Sequence, residues 1–440
     1  MKILRFFKLA GIVLLVFTAG CAVSYNQRLA SIKKGIQSNN YKKALTDLEK
    51  TGLSKSNKDR LLFHIEAGLL YHLAGKYDKS NYFLERAEWI SDEMYTKSLS
   101  KEAVSLVTSN LILPYRGEYF DYLYINYYKL LNYLYMGNLE DALVEVRRIN
   151  HKLSLFKEDN AFMHYITAIL YQYNSQYDDA FIEYKKAYEC YSQKYLKHYK
   201  VGFPEQLGKD ISVFCKKSGF SRCGELPSDI KIKHNVPKEH GSVVFIVETD
   251  FIPPKLEERI DAAIPQEFKK KHPDKLKDAY YLTVALPDYD LPKNRIEKVI
   301  INLNGKALKA CLVEDLGRIA IKTLEDKRGK ILAKAIARAV TKYIAYKKVR
   351  GKGGEDGNVL RKILGTSVNI IGAATENADT RSWLTLPDKI FLSHHYLEPG
   401  EYRFNMTLKS SAKSTRTTKE QKFSIKKGEL KFIVLREFHQ

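Results

Sequence analysis

Residues 138–142 read Asn-Leu-Glu-Asp-Ala, and this short pattern decides the fold because the chain repeats it. The further copies lie at 40–44, 76–80 and 176–180. Each copy has a polar residue, then a tyrosine or leucine, and then an alanine or serine three positions further on. Small side chains let two helices approach closely, and Gly75 and Gly137 suit a tight turn between helices. The pattern predicts an all-α array of helical hairpins over residues 21–225.

The repeats resemble tetratricopeptide repeats, which are helix–turn–helix units of about 34 residues. Apolar-periodic helices precede three of the copies, at 61–73, 122–135 and 162–173. The resemblance implies a solenoid whose concave groove binds a protein or peptide. We expect partner-binding side chains in this array, and the candidates are Tyr77, Tyr128, Arg147, Arg148 and Tyr177. An irregular helical bundle is the alternative.

The N-terminal 21 residues have the pattern of a secretory signal peptide. Lys2, Arg5 and Lys8 are followed by an apolar run at 9–17 and by small residues before Cys21. The stretch resembles a bacterial lipobox, although Thr18 stands where that pattern prefers leucine. The resemblance implies removal of residues 1–20 and acylation of Cys21, and several acyl chains give stable membrane anchoring. An ordinary cleaved signal with a chance cysteine is the alternative.

The address and the charge of the chain limit its partners. Ala22, where retained lipoproteins typically carry aspartate, favours the outer membrane and its periplasmic face. The formal net charge is +22, but an exported protein does not meet the chromosome, so we expect no nucleic-acid partner. Anionic lipids or cell-wall polymers are the available anionic partners. The basic balance is also what a Lys- and Tyr-rich composition would produce without any function.

A different pattern begins after a Pro- and Lys-rich linker at 226–240. β-Branched runs predict strands at 242–248, 280–286, 299–303, 307–313, 389–393, 402–408, 421–425 and 430–435. Asn304-Gly305 predicts a two-residue hairpin turn. Residues 241–440 are therefore predicted to form a mixed α+β domain with a sandwich-like antiparallel sheet and inserted helices. The insertions are a helix over 314–349, a glycine-rich loop at 351–357, and a buried helix at 363–374 that is too short to span a membrane.

The predicted helix 314–349 carries a basic stripe. Lys330, Lys334, Arg338 and Lys342 recur every four residues, which places them on one face of a helix. A solvated surface is the simpler interpretation of this stripe. A membrane-surface role is the alternative.

Several short motifs resemble those of an uncharacterised bacterial lipoprotein family with N-terminal tetratricopeptide-like helices. The motifs are 142–150, 378–383, 386–387 and 397–402, the last with Glu398 where the family pattern has proline. The resemblance implies, by association only, a role in envelope assembly or secretion. Asp379, Arg381 and Trp383 are the best site candidates in the second domain. A bidentate Asp–Arg pair with a stacked tryptophan would pin the neighbouring helix to the sheet, and a binding site is the alternative.

The remaining chemistry favours a protein without catalysis. Motifs of zinc proteases, nucleophile elbows and phosphate loops are missing from the sequence. In an oxidising periplasm, Cys215 and Cys223 can close a short loop, and we predict neither a metal nor a cofactor. The sequence thus predicts a lipid-anchored adaptor that binds envelope proteins through its repeats. The alternative is a protein that binds cell-wall glycan or anionic lipid directly through its basic surface.

Overall fold

The computed structural model describes residues 25–98, 113–218, 239–277, 279–350 and 377–439, together with 223, 224, 226 and 230. Several predictions lie outside these residues and are not addressed by the structure. They are the signal peptide, lipidation of Cys21, the glycine-rich loop 351–357 and the apolar helix 363–374. No helix among the described residues is both long and apolar enough to cross a bilayer.

The N-terminal half is a helical array, as the repeats predict. Four hairpins are formed by α1 (Tyr25–Gln37) with α2 (Tyr41–Lys50), α3 (Arg60–Leu73) with α4 (Tyr77–Ser98), α5 (Tyr119–Tyr135) with α6 (Leu139–Phe156), and α7 (Ala161–Tyr173) with α8 (Tyr177–Cys190). A π-helical turn (Tyr191–Tyr195) and α9 (Leu196–Tyr199) follow, and α10 (Glu205–Lys217) packs against α8.

The turns of the four hairpins share one backbone geometry. Asn39, Gly75, Gly137 and Ser175 occupy equivalent positions and have φ of 54°, 68°, 72° and 60°. In each turn the next residue donates its amide to the carbonyl five positions earlier, as Asn138 does to Tyr133 at 2.8 Å. This Schellman bonding needs a left-handed residue, which glycine adopts most easily.

The small residues of the repeat pattern lie where the two helices of a hairpin meet. Ala44, Ser80, Ala142 and Ala180 are all completely buried. The hydroxyl of Ser80 donates to the carbonyl of Gly68 at 2.7 Å across the α3–α4 contact. Close packing between the two helices of each hairpin therefore explains the small residues of the repeat pattern.

The C-terminal half contains a curled eight-stranded sheet. Its strands are β1 (Gly241–Thr249), β4 (Ile296–Leu303), β5 (Lys306–Asp315), β6 (Lys389–Leu397), β7 (Gly400–Ser410), β8 (Thr415–Thr417), β9 (Gln421–Ile425) and β10 (Leu430–Glu437). The order is β10-β1-β6-β5-β4-β7-β8, with β9 also paired to β7. The pairs are antiparallel except β1 with β10, which is parallel.

The sheet folds back on itself, which gives the sandwich-like arrangement that the sequence predicts. Phe245 of β1 lies 5.1 Å from the ring of Phe404 on β7 and 5.9 Å from Phe423 on β9. These strands are far apart in the order of the sheet, so they meet only because the sheet curls. Gly241 permits the closure, since a Cβ there would lie 2.4 Å from the carbonyl oxygen of Lys426.

A two-stranded ribbon, separate from the eight-stranded sheet, and one long helix form an additional layer of the C-terminal half. The ribbon pairs β2 (Lys255–Ala263) with β3 (Tyr281–Tyr289), and two short helices, α11 (Gln266–Lys271) and α12 (Pro273–Leu276), join its strands. Helix α13 (Leu316–Arg350) packs on this ribbon around Leu282, Val284 and Ala339. The basic stripe of α13 is not a uniformly solvated face, because the side chain of Arg338 is buried within this layer.

Candidate partner-binding groove

The inner face of the array is closed by the sheet of the same chain. We define this face by the first helices of the hairpins, α1, α3, α5 and α7. Glu248 of β1 points into it, where it accepts hydrogen bonds from Tyr127 and Tyr128 at 3.1–3.2 Å and pairs with Arg436 of β10 at 3.1 Å. The hydrophobic core runs without a break from the array into this sheet. The groove that the repeat resemblance implies is therefore occupied internally.

The array and the C-terminal half also meet around Arg381, in the segment that precedes β6. We call the whole contact region between the array and the C-terminal half the joint. Its guanidinium binds both carboxylate oxygens of Asp379, at 2.7 and 2.8 Å, and also Asp59 of the array at 2.9 Å. Two backbone carbonyls of the array, those of Lys58 and Leu113, accept further hydrogen bonds. The bidentate Asp–Arg pair exists and attaches the segment to the array, while the helix that it was expected to pin to the sheet lies outside the described residues.

Three sequence-predicted binding residues are consequently unavailable to a partner. Tyr128 is fully buried, Trp383 is packed against it with a ring separation of 6.1 Å, and Arg381 is almost completely enclosed. The sequence does not reveal what covers the inner face, so the burial of Tyr128 was not foreseen, whereas Arg381 and Trp383 have the structural role that their motif favoured over a binding site. These side chains hold the array and the sheet together.

Glu314 shows how strongly this joint excludes water. Its carboxylate is completely buried at the end of β5, where Asn160 of α7 and Tyr195 donate to it at 2.7 and 2.8 Å. Burial raises the pKa of Glu314 to about 8, and the negative charge of Asp315 acts in the same direction. The joint therefore holds a carboxyl group that favours its neutral form near neutral pH.

An open groove lies instead on the outer face of the array, between α4 and α6. It consists of two adjoining cavities of about 660 and 600 Å³ that share Glu85, Val144 and Arg148. Side chains at spacings of three and four residues give each helix one face toward it. The α4 wall presents Tyr82, Glu85, Trp89 and Asp92, and the α6 wall presents Val144, Arg148, His151 and Leu155.

The floor of the groove is a buried network of charges. Lys129 of α5 lies 2.8 Å from Glu88 and 3.0 Å from Glu145, and all three side chains are almost fully enclosed. Lys152 of α6 also binds Glu88 at 2.8 Å, and Asn126 donates to both carboxylates. Lys129, Glu88 and Glu145 each have more than one partner of opposite sign, and these ion pairs join α4, α5 and α6 beneath the groove.

Arg148 connects the floor to the surface. Its guanidinium lies 2.7 Å from Glu88 and 3.3 Å from Glu85, and its side chain stays 39% exposed. The lysines beside Glu88 outweigh its burial and hold the pKa of that carboxyl far below its usual range. Arg148 thus pairs with carboxylates of the preceding hairpin.

The rim of the groove combines exposed aromatic rings with charges of opposite sign. Trp89 and Tyr82 on α4 are each 58% exposed, and Leu155 on α6 is 41% exposed. Arg147 and His151 are exposed on the α6 side, while Asp92 is exposed on the α4 side. Exposed tryptophan and tyrosine beside arginine are the side chains that dominate binding energy in protein interfaces. The groove thus has a basic α6 wall and an α4 wall that carries both acidic groups and the exposed aromatic rings.

The two tyrosines of the repeat turns lie outside this groove. Tyr77 is half-buried and stacks on Tyr135 at 5.0 Å. Tyr177 is also half-buried, under the amine of Lys217, which lies 4.7 Å from the centre of its ring. Both rings pack within the array, and of the five candidates there only Arg147 and Arg148 line the groove.

Cys215, in the last turn of α10, forms a disulfide with Cys223, the pair that the sequence indicated. Cys190 is buried as a free thiol, and burial raises its pKa to about 12, which makes it unreactive. Cys311 is a half-buried free cysteine in β5.

One buried relay has the order of a hydrolase triad. The hydroxyl of Ser242 lies 2.6 Å from Nε2 of His394, and Nδ1 of His394 lies 3.1 Å from Asp210. Asp210 also accepts hydrogen bonds from Gln206 and Tyr165, so it is shared among several donors. Neither cavity of the α4–α6 groove is lined by Ser242. We therefore assign the relay to the attachment of α10 to the sheet.

Metal-ligating chemistry is likewise not assembled in the part of the chain that the structure covers, where no group of three acidic, histidine or cysteine side chains could hold an ion. His394 and His395 point to opposite faces of β6, as alternation predicts, and His395 contacts Ser393 at 2.6 Å.

Sequence reasoning missed the aromatic part of the groove. Trp89 and Tyr82 are seven residues apart on α4, a spacing that places both on one helix face. That spacing was a usable signal, but exposure of the face depends on the position of α6, which the sequence does not give.

Comparisons with known proteins add little to this description. No family model and no curated protein matches the chain. A solved structure titled "Crystal structure of MamA" covers 44% of this chain and 88% of its own, at 11% identity and a TM-score of 0.28. A second MamA structure, from AMB-1, covers 48% of this chain and 96% of its own, at 13% identity and a TM-score of 0.27. Scores this low carry no argument, so the repeat assignment rests on the four hairpins, and the lipoprotein-family resemblance stays a prediction.

Proposed function

We propose that this chain is a lipid-anchored interaction scaffold on the periplasmic face of the outer membrane, and that it binds a protein partner in the α4–α6 groove. Acylated Cys21 would hold the chain at the membrane. The array and the sheet share a continuous core and together present the groove. This role belongs to envelope assembly or secretion.

One observation carries the choice of surface. The inner face of the array is filled by the chain's own sheet, whereas among the described residues nothing covers the α4–α6 groove, which displays exposed aromatic rings. A charged floor that is fully paired internally keeps the groove in one shape, and pre-formed sites bind with a smaller loss of conformational entropy. The outer face is therefore the surface on which a partner would gain most.

The groove also indicates the chemistry of its occupant. Arg147 and His151 on the α6 wall favour a carboxylate, and Asp92 on the α4 wall favours a cation. Trp89, also on the α4 wall, offers a ring for an apolar or aromatic side chain. We expect a segment of an envelope protein that carries an aliphatic or aromatic anchor, with an acidic residue on its α6 side.

Site-specific photocrosslinking in intact cells tests this proposal. A photoreactive residue replaces Trp89 in one strain and Leu196 in a matched control strain. Leu196 is similarly exposed, at 54%, but lies on α9 away from the groove. We expect one discrete protein adduct from position 89 and none of that mass from position 196.

Charge reversal supplies the second arm of the experiment. Arg147→Glu should weaken the adduct at position 89 about tenfold or more, because a carboxylate of the partner would then meet a like charge. Lys419→Glu, an exposed change of the same size on the distant β8–β9 connection, should leave the adduct unchanged. Equal adducts from positions 89 and 196, or indifference to Arg147→Glu, would reject the groove as the binding surface.

The anchor and the lack of catalysis are separate parts of the proposal with separate tests. Mass spectrometry of the mature N-terminus should find an acylated Cys21, and an unmodified residue 21 would exclude the lipid anchor without affecting the groove. A fluorophosphonate probe, which labels activated serines, should leave Ser242 unmodified. Labelling that disappears in Ser242→Ala would contradict a purely structural role for the Ser242–His394–Asp210 relay.

A further inference from the structure

The end of the β2–β3 ribbon is the most exposed aromatic surface of the described residues. Tyr280 and Tyr281 are 65% and 59% exposed, more than any other large apolar side chain in that part of the chain. They lie next to α11 and α12, which join the two strands of the ribbon. We call residues 266–277, together with Tyr280 and Tyr281, the ribbon tip.

The ribbon tip is also densely basic. The stretch from 266 to 281 contains five lysines, at 269, 270, 271, 275 and 277, against three carboxylates, Glu267, Asp274 and Asp278. Lys270, Lys271 and Lys277 are exposed, and the amine of Lys269 lies 4.4 Å above the ring of Tyr280. Amphipathic tyrosine rings beside lysines are typical of the interface between a bilayer and water, where the ring enters the headgroup layer and the amines meet phosphates.

The tip is rigidly supported and not a loose loop. Leu276, Ala279 and Leu282 are buried against Ala335 and Tyr343 of α13. The exposed tyrosines therefore stand on a packed base, and their exposure is a property of the fold.

The position of the ribbon relative to the N-terminus adds an independent argument. The side chain of Asn26, near the start of α1, donates to the carbonyl of Lys255 at the base of the ribbon, at 2.8 Å. Cys21 precedes Tyr25 by four residues, a stretch of chain that spans at most about 14 Å. The nine residues of β2 extend the tip roughly 30 Å beyond the base. A ribbon lying along a bilayer would touch it at both ends.

We propose that the ribbon tip docks on an anionic phospholipid surface and gives the chain a second contact with the membrane that Cys21 enters. The lysines supply attraction to phosphate groups, and Tyr280 and Tyr281 insert their rings among the headgroups. A tether ahead of Tyr25 together with a contact at the tip would fix the orientation of the body, which a single lipid tether cannot do. The site depends on the proposed anchor only for this orientation, because the tip has its own affinity for the surface.

Vesicle flotation of a chain without the acyl anchor tests the tip directly. The protein comprises residues 21–440 with Cys21→Ser, which retains every described element. It is mixed with vesicles of phosphatidylethanolamine and phosphatidylglycerol, or with vesicles of phosphatidylcholine alone. We expect binding to the anionic vesicles only, with loss of binding as the salt concentration rises.

Two triple variants separate the tip from the general basic charge of the chain. Lys269→Gln/Lys270→Gln/Lys271→Gln should weaken binding at least about tenfold, given the contribution of each lysine near an anionic surface. Lys409→Gln/Lys419→Gln/Lys422→Gln makes the same charge change at exposed positions of β7, the β8–β9 connection and β9. This variant should weaken binding to the vesicles far less. Tyr280→Ser/Tyr281→Ser should also weaken binding, with an unchanged circular dichroism spectrum.

Three results would overturn the inference. They are no binding to anionic vesicles, equal loss in the two lysine variants, and full binding by the tyrosine variant. None of these results bears on Cys21 or on the α4–α6 groove, because the acyl chain is absent from the assay and the groove is unaltered. A failed anchor and a failed tip are thus distinguishable.

Discussion

Arg381 is the residue on which the joint between array and sheet depends most directly. Its side chain is enclosed between Asp379 and Asp59. Arg381→Ala would leave two carboxylates without their cation and two carbonyls without a donor, so we expect a loss of about 3 kcal/mol in the free energy of unfolding. Denaturant unfolding followed by circular dichroism measures it.

Two further variants make this prediction specific. Arg381→Lys keeps the charge but cannot bind Asp379 through a planar fork, and it should recover only part of the loss. Arg147→Ala removes an exposed arginine from α6 and should change stability by less than about 0.5 kcal/mol. If Arg381→Ala is no more harmful than Arg147→Ala, the joint has been assigned to the wrong side chain.

Glu314 predicts a pH dependence whose sign follows from its raised pKa. The ordinary value is 4.5 and the folded value is about 8, so the folded state binds this proton more tightly than the unfolded chain does. The contribution of Glu314 to stability must therefore fall as pH rises from about 4.5 to about 8, and stay constant outside that window. Glu314→Gln imitates the neutral form and should remove this fall.

The comparison is made between variants, because other groups also titrate in that range. The stability of Glu314→Gln minus that of the unaltered chain should increase by a few kcal/mol between about pH 5 and pH 8. Glu401→Gln, at an exposed position of β7, should show a flat difference. A flat difference for Glu314→Gln as well would mean that the buried carboxyl is ionised throughout.

For individual residues, the sequence predicted an ion pair between near neighbours and missed the ion pairs and hydrogen bonds between residues far apart in the chain. The Asp379–Arg381 contact spans two positions, and the residue types alone suggested it. Asp59 and Glu248 meet their partners across more than a hundred positions, and no periodicity reports such contacts. Tyr128 is buried where it contacts Glu248, so its burial could not be predicted from the sequence either.

At the scale of the elements, the four hairpin turns offer a reciprocal test. Gly137 and Ser175 occupy the same turn position, with φ of 72° and 60°, and a Cβ at Gly137 would meet no other atom. Only backbone strain then separates the two residue types. Gly137→Ser should destabilise the chain by about 1 kcal/mol, and Ser175→Gly should stabilise it by a similar or smaller amount.

Thermal unfolding of the two single variants and of the double variant checks this reciprocity. The turns belong to different hairpins, so the two effects should add and nearly cancel. Gly224 does not have a left-handed backbone conformation, so Gly224→Ser serves as a control with little expected effect. A stabilising Gly137→Ser would show that the left-handed geometry of that turn is not required.

The sequence predicted most elements because their signals are local. The Asn304-Gly305 turn has positive φ at both residues, and the strand predicted at 421–425 has those bounds in the structure. Strand β2 was missed, because its sequence, KLEERIDAA, is charged and lacks the apolar alternation of a half-buried strand. Its strand conformation depends on pairing with β3 and on packing against α13, which are tertiary effects.

At the scale of the whole molecule, the sequence suggested two separate domains at 21–225 and 241–440, and that boundary stays a prediction. The structure shows how closely the two parts are associated. One hydrophobic core includes Leu123 of α5 and Ile246 of β1, and tyrosines of the array bond to the sheet. A repeat array usually offers its inner face to another protein. Here the sheet occupies that face, so the array needs the sheet for its own stability.

This dependence predicts the behaviour of the array when it is produced alone. A fragment of residues 21–226 keeps all four hairpins and the disulfide but exposes Tyr127, Tyr128 and Glu66, which the full chain buries. We expect it to self-associate and to bind a hydrophobic dye, with an unfolding midpoint clearly below that of the full chain, because a large apolar face would meet water. Light scattering and thermal unfolding measure both properties. A monomeric fragment as stable as the full chain would mean that the sheet contributes nothing to the array, and the inner face would then return as a surface that a partner could reach by displacing the sheet.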